Sequence, residues 1–111
     1  MKILVVFDTR YGNTMKLANA AAEGARAAGA EVKITRCKIV EPEAIIQKNQ
    51  YWAAAHKEFE KLPEVTLEDF EWADGCLWGS PTRFGNMTAP MKAVIDALSP
   101  LWAKFHLMCA T

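Results

Sequence analysis

No stretch of this 111-residue chain is apolar for long enough to cross a bilayer. Met1-Lys2 runs straight into a β-branched stretch with no small-residue cleavage site, so the reading is cytoplasmic, with no membrane partner. Charge of one sign is lacking too: Lys plus Arg and Asp plus Glu both number 13, for a formal net charge of zero. No overall basic field exists to attract nucleic acid or anionic lipid. Cysteine is scarce, and Cys37, Cys76 and Cys109 have neither metal-ligand nor redox-pair spacing, so reduced core thiols are expected. Neither G-x-x-x-x-G-K-[ST] nor G-x-G-x-x-G occurs, which removes the triphosphate loop and the dinucleotide fingerprint. Internal repeats and low-complexity tracts are also absent.

What is there reads as one soluble globular domain, residues 1–111, with 51% hydrophobic and 23% charged residues, enough for a single core. Ile3-Leu4-Val5-Val6-Phe7 is continuously apolar, the pattern of a central strand covered on both faces in a parallel sheet. Residues 14–28 predict a helix, with Met15, Ala18, Ala22 and Ala25 at helical spacing and Gly29 placed to end it. A helix with so small a face packs close to a sheet. Residues 31–36 alternate, with Val32 and Ile34 on one side, as in a strand at or near an edge. Between Glu41 and Leu67, one or two helices are expected, and Tyr51 and Trp52 there suit either core packing or a lid or oligomer contact. Gly75-Cys76-Leu77-Trp78-Gly79 predicts a second buried strand. Residues 86–98 predict a helix with Met87, Met91, Val94, Ile95 and Leu98 on one side and Pro90 in its first turns.

Two loops carry the chemistry, each leaving the carboxyl end of a predicted strand for a helix, where open α/β sheets bind ligands. The first is Thr9-Arg10-Tyr11-Gly12-Asn13-Thr14. Thr9 and Thr14 offer hydroxyls, Asn13 an amide, Gly12 a backbone able to close on an anion, and the helix N-terminus adds N–H groups and a favourable dipole. These suit a phosphate without a lysine; the alternative is an ordinary turn with Thr14 as helix N-cap. The second is Ser80-Pro81-Thr82-Arg83-Phe84-Gly85-Asn86-Met87. Phe84 supplies an apolar face, Gly85 permits close approach, Thr82 and Asn86 can meet the polar edge of a heterocycle, and Arg83 adds charge beside a ring that becomes anionic on reduction. The alternative there is a solvated surface loop. If the two strands are parallel neighbours, a flat ligand with a phosphate tail spans both loops. His56 and His106 have no partner constellation in sequence and read as surface or locally bonded residues.

On these motifs the chain resembles the flavodoxin-like WrbA-type NAD(P)H:quinone oxidoreductases from Met1 to about Trp102. The resemblance rests on the hydroxyl-rich first loop, the insertion after the second strand and, above all, the residues Ser80 to Met87. It implies an α/β three-layer sandwich with a parallel sheet and a noncovalent FMN. The FMN phosphate would lie at Thr9, Tyr11, Gly12, Asn13 and Thr14, and the isoalloxazine against Pro81, Thr82, Arg83, Phe84, Gly85 and Asn86. It further implies an enzyme, commonly tetrameric, that passes two electrons from NAD(P)H to quinones and needs no catalytic acid or base.

The family's pattern stops short in this chain. A flavodoxin-like sheet has five parallel strands in the order 2-1-3-4-5, and only three are placed before Leu98. The family's third flavin loop and its later histidine have no match, although Phe105 to Ala110 suit a short substitute strand. The sheet is therefore expected to be truncated after about three strands, with the third as an edge of unpaired backbone groups. A homo-oligomer covering that edge, or a shortened form of a longer enzyme, is the expectation. Two other functional readings stand beside the enzyme. A non-catalytic flavodoxin-like module with an empty or weakened site is motivated by the absent third loop. A single-electron flavodoxin carrier is weakened by zero net charge, because carriers rely on an acidic docking face.

Overall fold

The computed structural model describes residues 1–103. Leu4, Val5, Val6 and Phe7 are all buried, which makes β1 (Lys2–Phe7) the middle of the sheet, since a strand apolar on both faces needs cover on both. Its parallel neighbours are β2 (Glu31–Arg36) and β3 (Gly75–Gly79), in the order β2-β1-β3. In this register Val5 lies opposite both Ile34 and Leu77. The ends of β1 and β3 thereby fall on one rim.

Helix α1 (Asn13–Ala27) buries Ala18 and Ala22 against one face of the sheet, in a cluster with Val5, Phe7 and Phe59 that Met15, Val32 and Ile34 extend. The small residues allow a close approach. At Gly79 the fit is tight: a Cβ there would stand 3.1 Å from Thr14 Cγ2 and 3.3 Å from Phe7 Cβ. Gly29, with φ 91°, ends the helix as expected.

The insertion folds as α2 (Glu43–Ile46) and α3 (Gln50–Phe59). Asn49 starts α3 by accepting the Tyr51 and Trp52 N–H groups, and Phe59 anchors it edge-on to Phe7, with ring centroids 5.4 Å apart. Tyr51 is exposed and Trp52 half-buried, so neither is a core residue. His56 is locally bonded, as one reading had it, but buried rather than on the surface, its Nε2 lying 3.2 Å from Glu43 and 3.3 Å from Glu60.

The opposite face of the sheet is covered by α4 (Leu67–Trp72), which opens on a Thr66–Asp69 capping box, and after β3 by further helical turns. Its cluster contains Leu4, Val6, Cys37, Phe70, Met91, Val94, Leu98 and Leu101. Helix, sheet and helix thus form the flavodoxin-like three-layer α/β arrangement. Cys37 and Cys76 are free thiols; Cys109, His106 and the segment from Phe105 to Ala110 lie outside the described residues. Among the described residues no helix is long and apolar enough to cross a membrane.

Two expectations need correction. Residues 86–98 are not one helix: β4 (Thr82–Arg83) and β5 (Asn86–Met87) pair antiparallel, and α5 (Ala89–Asp96) starts only after Thr88, whose extended backbone serves as N-cap. Pro90 sits in its first turn, where no N–H is missed, and α6 (Ser99–Ala103) follows. β3 is not a buried strand either. At the sheet edge among the described residues, it leaves Leu77 40% and Trp78 45% exposed.

Candidate functional site

The first loop turns on Gly12. Its φ of 94° is left-handed, a conformation that costs a side chain about 1–2 kcal/mol, and its N–H donates to Thr9 Oγ1 at 3.0 Å. Gly12, not Thr14, is therefore the N-cap of α1, and no side chain caps the helix. The N–H groups of Asn13, Thr14 and Met15 have no acceptor within the helix and carry the positive end of its dipole. Thr9 is buried, its hydroxyl oxygen accepting from Gly12 and its own O–H left to donate.

The second loop is closed at its neck by Ser80. Its Oγ accepts the Thr88 N–H at 3.2 Å, donates to the Pro81 carbonyl at 2.9 Å and stands 3.4 Å from Thr88 Oγ1. Beyond the neck, the β4–β5 hairpin turns through Phe84 and Gly85, with φ values of 53° and 77°. Two consecutive positive values are the sign pattern of a type I′ turn, which favours Asn-Gly over Phe-Gly. The Phe84 ring is fully exposed.

The two loops meet. Thr9, Arg10, Tyr11, Asn13 and Thr14 from the first, with Pro81 and Arg83 from the second, line one recess of about 70 Å³. That is the space of about two water molecules, enough for a phosphate-sized group and too little for a tricyclic ring. Of the residues expected at the site, Gly12 contributes its backbone turn, whereas Thr82, Phe84, Gly85 and Asn86 stand out on the hairpin and do not line the recess. Asn86 turns its Oδ1 onto the Met87 N–H at 2.8 Å.

Several residues in or beside the recess have no site role assigned from the sequence. Arg10 lies with its guanidinium carbon 4.2 Å from the centre of the Trp52 ring, and its Nε is buried without a hydrogen-bond partner. Asp8, the chain neighbour of Thr9, is buried, and desolvation is the largest cause raising its pKa; Glu41 adds to the rise, while the Thr88 hydroxyl, the Thr9 backbone and Arg83 oppose it. Thr88, itself buried, joins the helix start to this carboxyl. An acidic residue directly after an apolar strand was the available signal for Asp8. Nothing in sequence pairs Arg10 with Trp52, because 42 positions of chain separate them and only the fold of the insertion brings them together. Cys37, nearby at the end of β2, has its thiol pushed up to about 12 by burial and by Asp8, so it is inert as a nucleophile.

As donors, the Thr9 and Thr14 hydroxyls, the Asn13 amide, the helix N–H groups, the unpartnered Arg10 Nε and the Arg83 guanidinium suit an anion. Over residues 1–111 the sequence matches the NADPH-dependent FMN reductase family. The chain belongs to that family. Among its relatives in the family's company are proteins named NAD(P)H dehydrogenase (quinone). The one from Deinococcus radiodurans is 39% identical over 107 residues, covering 96% of this chain and 54% of the relative. The one from Archaeoglobus fulgidus is 42% identical over 106 residues (96% and 56%), and that from Aromatoleum aromaticum 38% over 109 (97% and 52%). The chain spans about half the length of these curated relatives. The recess lies at the carboxyl ends of β1 and β3, where open α/β sheets bind ligands.

Proposed function

We propose that the protein is an FMN-dependent oxidoreductase that passes two electrons from NAD(P)H to quinones. The observation that carries this reading is the single recess shared by the loops after β1 and β3, walled by hydrogen-bond donors and two arginines. Thr9, Asn13, Thr14 and the first N–H groups of α1 would hold the FMN phosphate, with Tyr11 at the rim and Gly12 shaping the turn. Pro81, Thr82, Arg83, Phe84, Gly85 and Asn86 would border the ring. Bound there, FMN would supply a two-electron centre able to accept hydride and return electrons to a quinone.

The protein's own work is then to bind and orient. The Ser80–Thr88 neck holds the hairpin at the rim, Phe84 presents an apolar face, and Arg83 places positive charge where negative charge would develop. No acid or base is required of His56, which is occupied with Glu43 and Glu60. The names of the relatives support the enzyme over a non-catalytic module or a single-electron carrier. We further propose that residues 1–111 form one cytoplasmic flavodoxin-like domain that makes homo-oligomers through the outer edge of β3, which is unpaired among the described residues.

The test is a visible absorption titration of the purified chain with FMN, followed by NADH and NADPH oxidation with and without a quinone. Flavin uptake and quinone-dependent oxidation are expected. Uptake without turnover would favour the non-catalytic module, and no uptake would remove the flavin reading.

A further inference from the structure

We propose that Arg10, held in place by the ring of Trp52, is an anion-binding residue of the recess that reads the phosphate of the flavin. The inference rests on the FMN reading above. Among the described residues, every buried side-chain nitrogen or oxygen has a hydrogen-bond partner except Arg10 Nε. A buried, charged donor without an acceptor is unfavourable unless something arrives to accept from it. No carboxylate forms an ion pair with Arg10 among the described residues, and the other recess side chains offer mainly donors and a proline. The missing partner is therefore an anion.

The insertion helix supplies the positioning. With the guanidinium carbon 4.2 Å from the Trp52 ring centre, a cation–π contact holds the group beside the first loop, and its Nε keeps an N–H with no acceptor. Trp52 is fixed in turn by the Asn49 cap, which accepts its backbone N–H at 3.1 Å. One helical turn further on, Ala55 abuts the same loop: a Cβ on Gly12 would lie 3.6 Å from Ala55 Cβ. Trp52 and Ala55 share one side of α3, so the helix backs the phosphate turn at two points. Arg10 is the binding residue and Trp52 the positioning residue.

The full chain and its Arg10→Gln, Arg10→Lys and Trp52→Leu variants are titrated with FMN and with riboflavin, which lacks the phosphate. Arg10→Gln is expected to weaken FMN binding about ten- to a hundredfold and to leave riboflavin binding unchanged. Arg10→Lys restores part of the loss, because charge returns without the planar fork. Trp52→Leu acts in the same direction by less, and the Arg10→Gln/Trp52→Leu pair is no weaker than Arg10→Gln alone, as expected when one residue acts through the other. An FMN-to-riboflavin ratio unchanged by Arg10→Gln overturns the inference, as does an equal loss for both flavins. A parallel thermal melt with inorganic phosphate separates this from failure of the FMN reading. If the wild-type chain binds neither flavin, that reading falls; the anion role of Arg10 still stands if phosphate raises the wild-type midpoint and not that of Arg10→Gln, and falls if the two respond alike.

Discussion

Phe84 carries a side chain that touches nothing, on a backbone that most residues avoid: it is 109% exposed at a φ of 53°. A left-handed bulky residue costs about 1–2 kcal/mol, and no packing in the hairpin offsets it. Phe84→Asn is expected to leave the thermal midpoint of the unliganded chain unchanged or raise it, while weakening flavin retention; calorimetry and an FMN titration check the two halves. Asp8 makes a second case at this scale. Because burial holds its pKa above that of the unfolded chain, the native state binds this proton more tightly. Stability therefore falls as pH rises from the unfolded value through the native one, and the loss persists at neutral pH. Asp8→Asn should raise the midpoint at pH 7 and flatten that stretch of the stability profile in melts across acidic and neutral pH. The sequence showed Phe84 as a candidate ring contact, but a dihedral angle and a desolvated carboxylate exist only once the chain has closed around them.

Among the elements, α1 and β1 were legible because each obeys a local rule: an unbroken apolar run for the strand, a small-residue face at helical spacing for the helix. The helix expected over 86–98 started late because Ser80 captures the Thr88 N–H, a contact between residues eight apart that competes with helix extension at that end. The insertion was foreseen as helical, but not its task. Phe59 fastens α3 to Phe7, and α3 in turn carries Trp52 to the first loop. Phe59→Ala should destabilise the fold by about 3–5 kcal/mol in chemical denaturation and increase hydrogen exchange in residues 50–59. At the contact of α1 with β3, Gly79→Ala puts a Cβ 3.1 Å from Thr14 Cγ2, so Thr14 must give by a few tenths of an ångström, and the variant should weaken FMN binding by shifting the first turn of α1. An unchanged FMN affinity would separate the helix start from the site.

At the scale of the whole molecule, the outer edge of β3 is unpaired among the described residues. Apolar hollows of about 390 Å³ beside Leu77 and about 550 Å³ beside Trp78 flank it on the two faces of the sheet. An edge with unpaired backbone groups and apolar flanks invites pairing with another chain. The isolated chain is expected to show a mass that rises with concentration in light scattering, and Leu77→Lys should reduce that rise. A monodisperse wild-type monomer with a cooperative melt would contradict it.

The sequence by itself determined the order of β1, α1 and β2, the helical insertion, and the two loops that carry the family's character, because periodicity, glycine placement and hydroxyl content are local properties. Only the tertiary structure decided that Arg10 rests on Trp52, that Asp8 is desolvated, and that Phe84 points into open solvent. Those facts depend on distances between residues far apart in the chain, and on how much water the assembled layers exclude.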